Sequence, residues 1–157
     1  MLNGIHPLLV PDVLHVIALM GHGDEIAIVD ANFPAASLGS RVIEARGAAS
    51  PEMLDAILTL FPLDLEAVPA AFTMEVTGDP AAVPECVADF AAVFTEHELA
   101  DCEIDSLGRH AFYDRANRAF AIVRTGELRP YGNILLIKGV VNRYAPPGGT
   151  KGRAPPR

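Results

Sequence analysis

The sequence predicts an α/β fold: a single domain with a mixed central sheet flanked by helices. Three observations carry this expectation. Segments of helical and strand periodicity alternate along the chain, the order that builds a sheet covered by helices. The run Ile26–Val29 is apolar at every position, which suits a central strand buried on both faces. The stretch "SPEMLDAILTLFP" instead repeats its apolar residues at helical spacing.

Each element follows from local chemistry. "PDVLHVIALMG" opens on Pro11 and Asp12 and stops at Gly21, with Val13, Leu14, Ile17 and Ala18 as a buried helical stripe. "EIAIVDA" is the central strand, "NFPAAS" breaks it, and "RVIEA" is a second short strand. In "SPEMLDAILTLFP", Ser50 is expected as the N-cap, Pro51 in the first turn and Glu52 facing the positive end of the helix dipole. Met53, Leu54, Ile57, Leu58 and Phe61 form its core face. "AFTMEVT" alternates Phe72, Met74 and Val76 with Thr73, Glu75 and Thr77, the pattern of a half-buried strand. A helix from about Pro84 to Thr95 comes next, then "CEIDSL" as a strand. "GRHAFYDRANRAF" reads as a helix leading into the strand "AFAIVRTG", and the last strand starts near Asn133 in "RPYGNILLIKGVV". The domain thus covers 1–141; the remainder, 142–157, is rich in Pro, Gly and basic residues and is expected to be a disordered tail.

Composition narrows the function. A chain of 157 residues is one ordinary domain. Half of its residues are hydrophobic and its mean hydropathy is +0.27. That is apolar for a small chain with much surface relative to its volume, so another subunit is expected to cover part of it. The net charge of −8 argues against nucleic acid, because no basic patch exists to neutralise phosphates. No stretch approaches the ~20 apolar residues that cross a bilayer, so no membrane partner is expected. The first ten residues carry no Lys or Arg and no small-residue cleavage site, so no signal peptide is expected either. Cys86 and Cys102 lack CxxC spacing and read as reduced, buried thiols, in keeping with a cytoplasmic location.

The candidate chemistry lies around the first strand. His22 stands between two glycines that leave its ring uncrowded; it is either a polar loop residue or a proton donor and acceptor near neutral pH. Asp24 reads as a local turn acceptor. Asp30 ends an apolar strand, where a carboxylate is costly unless paired or solvated, and in α/β sheets ligands gather at the carboxyl ends of strands. Arg109 and Tyr113 share one face of a helix, so they converge on a polar ligand or form a solvated face. Tyr131 and Asn133 in "PYGN" offer a phenol and an amide, suited to sugar hydroxyls or to a plain turn. Asp64 in "FPLD" is similarly open.

Absent patterns matter as well. The sequence has no GxGxxG, Walker loop, HExxH or GxSxG. No metal is expected, since such a site needs three or four convergent ligands, and no cofactor is expected. The residue set suits proton transfer on a neutral, polyhydroxylated ligand.

Several long stretches resemble one family. "GIHPLLVPDVLHVIALMGHGDEIAIVDANFPA", "LFPLD", "FYDRANRAFAIVRTGE" and "YGNILLIKGV", spread over about residues 1–141, are similar to the D-ribose pyranase and L-fucose mutarotase family. Gly23 after the histidine, the "DANFP" turn and Arg109 resemble its fucose branch rather than its ribose branch. The resemblance implies a ribose pyranase-like fold and an isomerase, a mutarotase acting on L-fucose or a related monosaccharide. It implies His22 as proton donor, with Asp30, Arg109, Tyr131 and Asn133 contacting the sugar. It also places Asp64 and Tyr113 at the site and Met74 on its apolar side. It implies a homo-oligomer, often a ring-like decamer, with sites near subunit contacts. One departure is "IEARG" where the fucose branch commonly reads "IRADG", which exchanges the charges at Glu44 and Arg46 and so bears on local ion pairing or the subunit contact. Two rival readings are a ribose pyranase and a non-catalytic sugar-binding module.

Overall fold

The apolar run beside His22 becomes the strand around which the molecule is built. The computed structural model describes residues 2–141, and the expected tail lies outside the described residues. In chain order the elements are α1 (Pro11–Leu19), β1 (Glu25–Val29), α2 (Ala35–Leu38), β2 (Val42–Ala45), α3 (Ser50–Leu58), β3 (Ala71–Met74), α4 (Glu85–Glu96), β4 (Ile104–Leu107), α5 (Arg109–Arg118), β5 (Ala121–Thr125) and β6 (Ile134–Ile137). The six strands form one sheet in the order β2-β5-β1-β6-β3-β4. β6 runs antiparallel to both of its neighbours, β1 and β3, whereas β2, β5 and β1 are mutually parallel, as are β3 and β4. The sheet is therefore mixed, as expected.

Residue alternation divides the core between the two faces of the sheet. Ile26 and Ile28 of β1, Val123 of β5 and Leu136 of β6 pack with α1, α3 and α4. Ala27 and Val29, Ile122 and Leu135 pack on the other face with Phe33, Phe112 and Ala116. An all-apolar strand is required because both faces are covered. The lining helices hold their shape by simple means. Lys138 Nζ donates to Ile17 O at 2.6 Å and Met20 O at 2.7 Å, which satisfies the free carbonyls at the end of α1.

Three expectations change. In α1 the buried residues are Val13, Val16 and Ile17, whereas Ala18, expected in the buried stripe, is exposed. Ser50 is not the N-cap of α3; Ala49 is, and the Glu52 carboxylate accepts from the Ala49 N–H at 2.8 Å. Ser50 is instead fully buried, donating its hydroxyl proton to Gly132 O at 2.7 Å, so it serves a tertiary contact. β3 is shorter than its alternating pattern and is not half-buried: all four of its residues are buried. Phe72 and Met74 face the α5 side, while Thr73 shares a cavity with Val87, Ala88 and Ala91 of α4, which lies over the face that the pattern assigned to water. Beyond Met74 the chain leaves the sheet, turning at Gly78 with φ 88°. On β2, Glu44 binds both Arg46 (2.8 Å) and Arg124 of β5, so the exchanged charges of "IEARG" form an ion-pair network of their own.

Candidate active site

The carboxyl end of β1 carries a finished polar cluster. Asp30 and Asn133 lie 103 residues apart in sequence and form a reciprocal pair. The Asp30 N–H donates to Asn133 Oδ1 at 2.9 Å, and Asn133 Nδ2 donates to Asp30 Oδ2 at 2.9 Å. Asn32 N–H donates to the other carboxylate oxygen at 2.9 Å. Burial pushes the Asp30 carboxyl above its ordinary value, against the lowering effect of these donors, and the nearby negative Glu127 adds to the rise. The antiparallel pairing of β6 with β1 is what brings Asn133 here, since it precedes the residue opposite Ile28.

Around this pair opens a cavity of about 210 Å³ lined by Asp30, Asn32, Phe33, Met74, Arg109, Tyr113, Pro130, Tyr131 and Asn133. It is smaller than the ~300–1,000 Å³ of drug-sized ligand sites, so its natural occupant is small. Arg109 enters from the first turn of α5, a turn with no acidic residue. A cation is disfavoured at a helix N-terminus, so the guanidinium sits there against local preference. Tyr113 follows one turn later, its ring edge-on to Phe33 at 5.2 Å. Tyr131 adopts φ 64°, a left-handed conformation few non-glycine residues take. Its hydroxyl accepts from the Thr77 N–H at 3.1 Å, which leaves the phenol proton free to point elsewhere. That bond, with Arg109 nearby, holds the phenol below its ordinary pKa. A carboxylate, a guanidinium, two phenols and an amide around a small cavity can donate to and accept from several hydroxyls at once.

His22 is not in this cavity. It precedes β1, at the end of the strand opposite Asp30; five residues of strand alone span roughly 16 Å. The glycine turn there is closed by Asp24, whose carboxylate accepts from Gly21 N–H at 2.7 Å, and Gly23 supplies φ 83°. His22 Nε2 lies 3.1 Å from Asp64 Oδ2, and the imidazole is 57% exposed against 14% for the Asp64 side chain. Desolvation raises Asp64, but the Glu66 N–H, His22 and the Ala67 N–H outweigh it, so the carboxyl lies below its ordinary value. Although Asp30 is near His22 in sequence, Asp64 is the partner of the imidazole. Beside the ring is an apolar cavity of about 640 Å³ whose lining includes Leu2, Leu60, Val140 and Val141, all exposed. Among the described residues no three His, Cys, Asp or Glu side chains gather as a metal-ligand group, and no helix is long and apolar enough to cross a membrane.

The chain thus unites Asp30, Met74, Arg109, Tyr113, Tyr131 and Asn133 in one place and His22 with Asp64 in another. A family model described as the RbsD / FucU transport protein family matches residues 3–141. The chain belongs to that family. Solved relatives within it share the architecture. A fucose mutarotase from Streptococcus pneumoniae, solved in complex with L-fucose, is 40% identical, with 89% of this chain and 99% of that chain covered and a TM-score of 0.81. FucU from Bifidobacterium longum is 42% identical, covering 88% and 99% at a TM-score of 0.80. RbsD of Bacillus subtilis, solved with D-ribose, is 23% identical over 90% and 99% of the chains at a TM-score of 0.71 and carries the likeness of fold alone. Within this RbsD / FucU fold, sequence reading missed Phe33, Asn32 and Pro130 on the cavity wall and Thr77 behind Tyr131. The "DANFP" turn was a usable signal for the first two; nothing local marks Thr77, whose role is a backbone N–H.

Proposed function

We propose that this protein is a sugar mutarotase, with L-fucose as its substrate, interconverting α and β anomers through the open-chain aldehyde. The observation that carries the proposal is the small cavity in which Asp30, Asn133, Arg109, Tyr113 and Tyr131 converge, in a chain 40% identical to a fucose mutarotase solved with L-fucose. In this reading Asp30, Asn133, Arg109 and Tyr131 hold the hydroxyls and Met74 faces the sugar's apolar side.

Mutarotation needs one proton removed from the anomeric hydroxyl and one delivered to the ring oxygen. The C–O bond of the hemiacetal then breaks, the aldehyde rotates, and reclosure on the opposite face reverses both transfers. Tyr113, within the cavity, is placed to exchange one of these protons. His22, oriented by Asp64, exchanges the other. Because His22 and Asp64 lie at the end of β1 away from the cavity, a bound sugar meets the imidazole only when a second copy of the chain presents it. The exposed Leu2, Leu60, Val140 and Val141 beside His22 favour such a homo-oligomer, since contiguous apolar surface of this kind marks contact sites. A ring-like decamer satisfies this arrangement. Acid–base catalysis of about 10²–10⁴-fold suffices, because the uncatalysed reaction is already measurable.

The experiment is saturation-transfer NMR of anomer exchange over L-fucose, D-ribose, D-galactose and L-rhamnose. L-fucose should exchange fastest. His22→Asn and Asp30→Asn proteins should each be inactive, yet regain exchange when dissociated and reassembled together, because mixed contacts join an intact imidazole to an intact cavity. Failure of the mixture to recover would show that the two clusters do not share a substrate. Binding of fucose without faster exchange by the unaltered protein would make it a sensor instead.

A further inference from the structure

The turn between β5 and β6 carries Tyr131 and Asn133 into the cavity, and an unusual concentration of charge lies behind it. Arg129 forms a fork with Glu127: its Nε lies 3.0 Å from Oε1 and its NH2 2.9 Å from Oε2. The Arg129 backbone N–H donates to the same carboxylate at 2.9 Å. The remaining guanidinium nitrogen reaches across to α4, 2.9 Å from Asp89 and 3.2 Å from Glu85. This is not an ordinary surface pair, which contributes little, because the Glu127 side chain is only 5% exposed. None of these four residues lines the cavity.

We propose that Glu127 and Arg129, clamped to α4 through Asp89 and Glu85, are positioning residues that set the placement of Tyr131 and Asn133 in the cavity. The inference rests on reading that cavity as the sugar site. Two contacts and one backbone conformation tie the clamp to the site. The Glu127 carbonyl accepts from the Ala31 N–H at 2.9 Å, beside Asp30. A Cβ at Gly132 would stand 2.7 Å from Glu127 Cγ, so the chain between Tyr131 and Asn133 is pressed directly against this side chain. Tyr131 itself sits at φ 64°, a conformation that persists only where its surroundings over-determine it. The clamp holds the turn from behind, and the Thr77 N–H holds the phenol from in front. Consistent with this geometry, the Arg129 hydrogen bonds hold the Glu127 carboxyl down at about 2 despite its burial.

The test uses full-length protein carrying ¹³C-tyrosine, with the Tyr131 signal among the three tyrosines assigned by its loss in Tyr131→Phe. Arg129→Gln should release the turn, so the Tyr131 phenol should titrate closer to its ordinary value, and kcat/KM for L-fucose should fall by up to about 10²-fold. Arg129→Lys keeps a charge but not the fork and should fall between. Adding Tyr131→Phe to Arg129→Gln should cost little more than Arg129→Gln alone, because coupled residues are not additive. Unchanged Tyr131 titration in Arg129→Gln and Arg129→Lys overturns the inference, as does full additivity. If the phenol shifts while the unaltered protein accelerates no sugar, the clamp stands and the mutarotase reading fails.

Discussion

The two ends of β1 solve opposite problems. At the carboxyl end, Asp30 is 5% exposed and its carboxylate and N–H are both occupied by Asn133, so a buried charge is satisfied and a small cavity is left with organised donors and acceptors. At the amino end, His22 is mostly exposed, has one partner, and is surrounded by uncovered apolar side chains. The first region is complete within one chain. The second presents an ion pair and apolar side chains outward. In the proposed reading the first region holds the sugar within one fold, and the second delivers a proton-transfer group from a neighbouring copy, its ring oriented by Asp64.

Substitutions at each end test this contrast, first at the amino end. His22→Asn is expected to lower the anomer-exchange rate by about 10²–10⁴-fold while leaving the unfolding transition in place, because an exposed ring contributes few packing contacts. Exchange NMR beside a thermal melt checks both halves. At the carboxyl end, Asn133→Ala should weaken sugar binding and the fold together. It strands the Asp30 N–H and carboxylate in a buried place, a cost of about 1–3 kcal/mol, visible as a lower urea midpoint. If His22→Asn proves the more destabilising of the two, the division between the ends is wrong.

The pH dependence should separate the ends by sign. Asp30 is raised by burial, so its contribution to stability is full below its ordinary value of 3.8 and is lost as pH rises through the raised value. Asp64 is lowered on balance by the donors around it, so its contribution is full above 3.8 and is lost as pH falls through the lowered value. Urea midpoints between about pH 3 and pH 6 should therefore shift in favour of Asp30→Asn, relative to the unaltered protein, as pH rises. They should shift in favour of Asp64→Asn as pH falls. Parallel trends would mean that the two carboxylates occupy similar surroundings. The smallest effect expected is that of Phe33→Leu, which removes the edge contact with Tyr113 and should cost about 0.5–1.5 kcal/mol beyond lost area, again read from the urea midpoint.

Much of this was legible in the sequence because it depends on neighbours along the chain. The both-faces-buried β1 follows from a continuous apolar run, the helices opened by Pro11 and Pro51 from first-turn chemistry, and the shared face of Arg109 and Tyr113 from a spacing of four residues. Local reading failed where a distant element intervened. Ser50 had the chemistry of a cap, but Gly132 claimed its hydroxyl from across the fold. Thr73 had the pattern of a solvent face, but α4 covers it. Asp30 stands eight residues from His22 in the sequence, yet an extended strand carries two such residues apart rather than together.

Residue order along the chain thus set most of the strands and the longer helices, the two-sided burial of β1, the core face of α3 and the supply of polar side chains around them. Only the tertiary structure decided which of those residues meet. Pairing β6 antiparallel beside β1 joins Asn133 to Asp30, and the return of the chain after α3 brings Asp64 to His22. Such contacts depend on strand order and register, which are set by packing over the whole core and leave no mark in any short stretch of the chain.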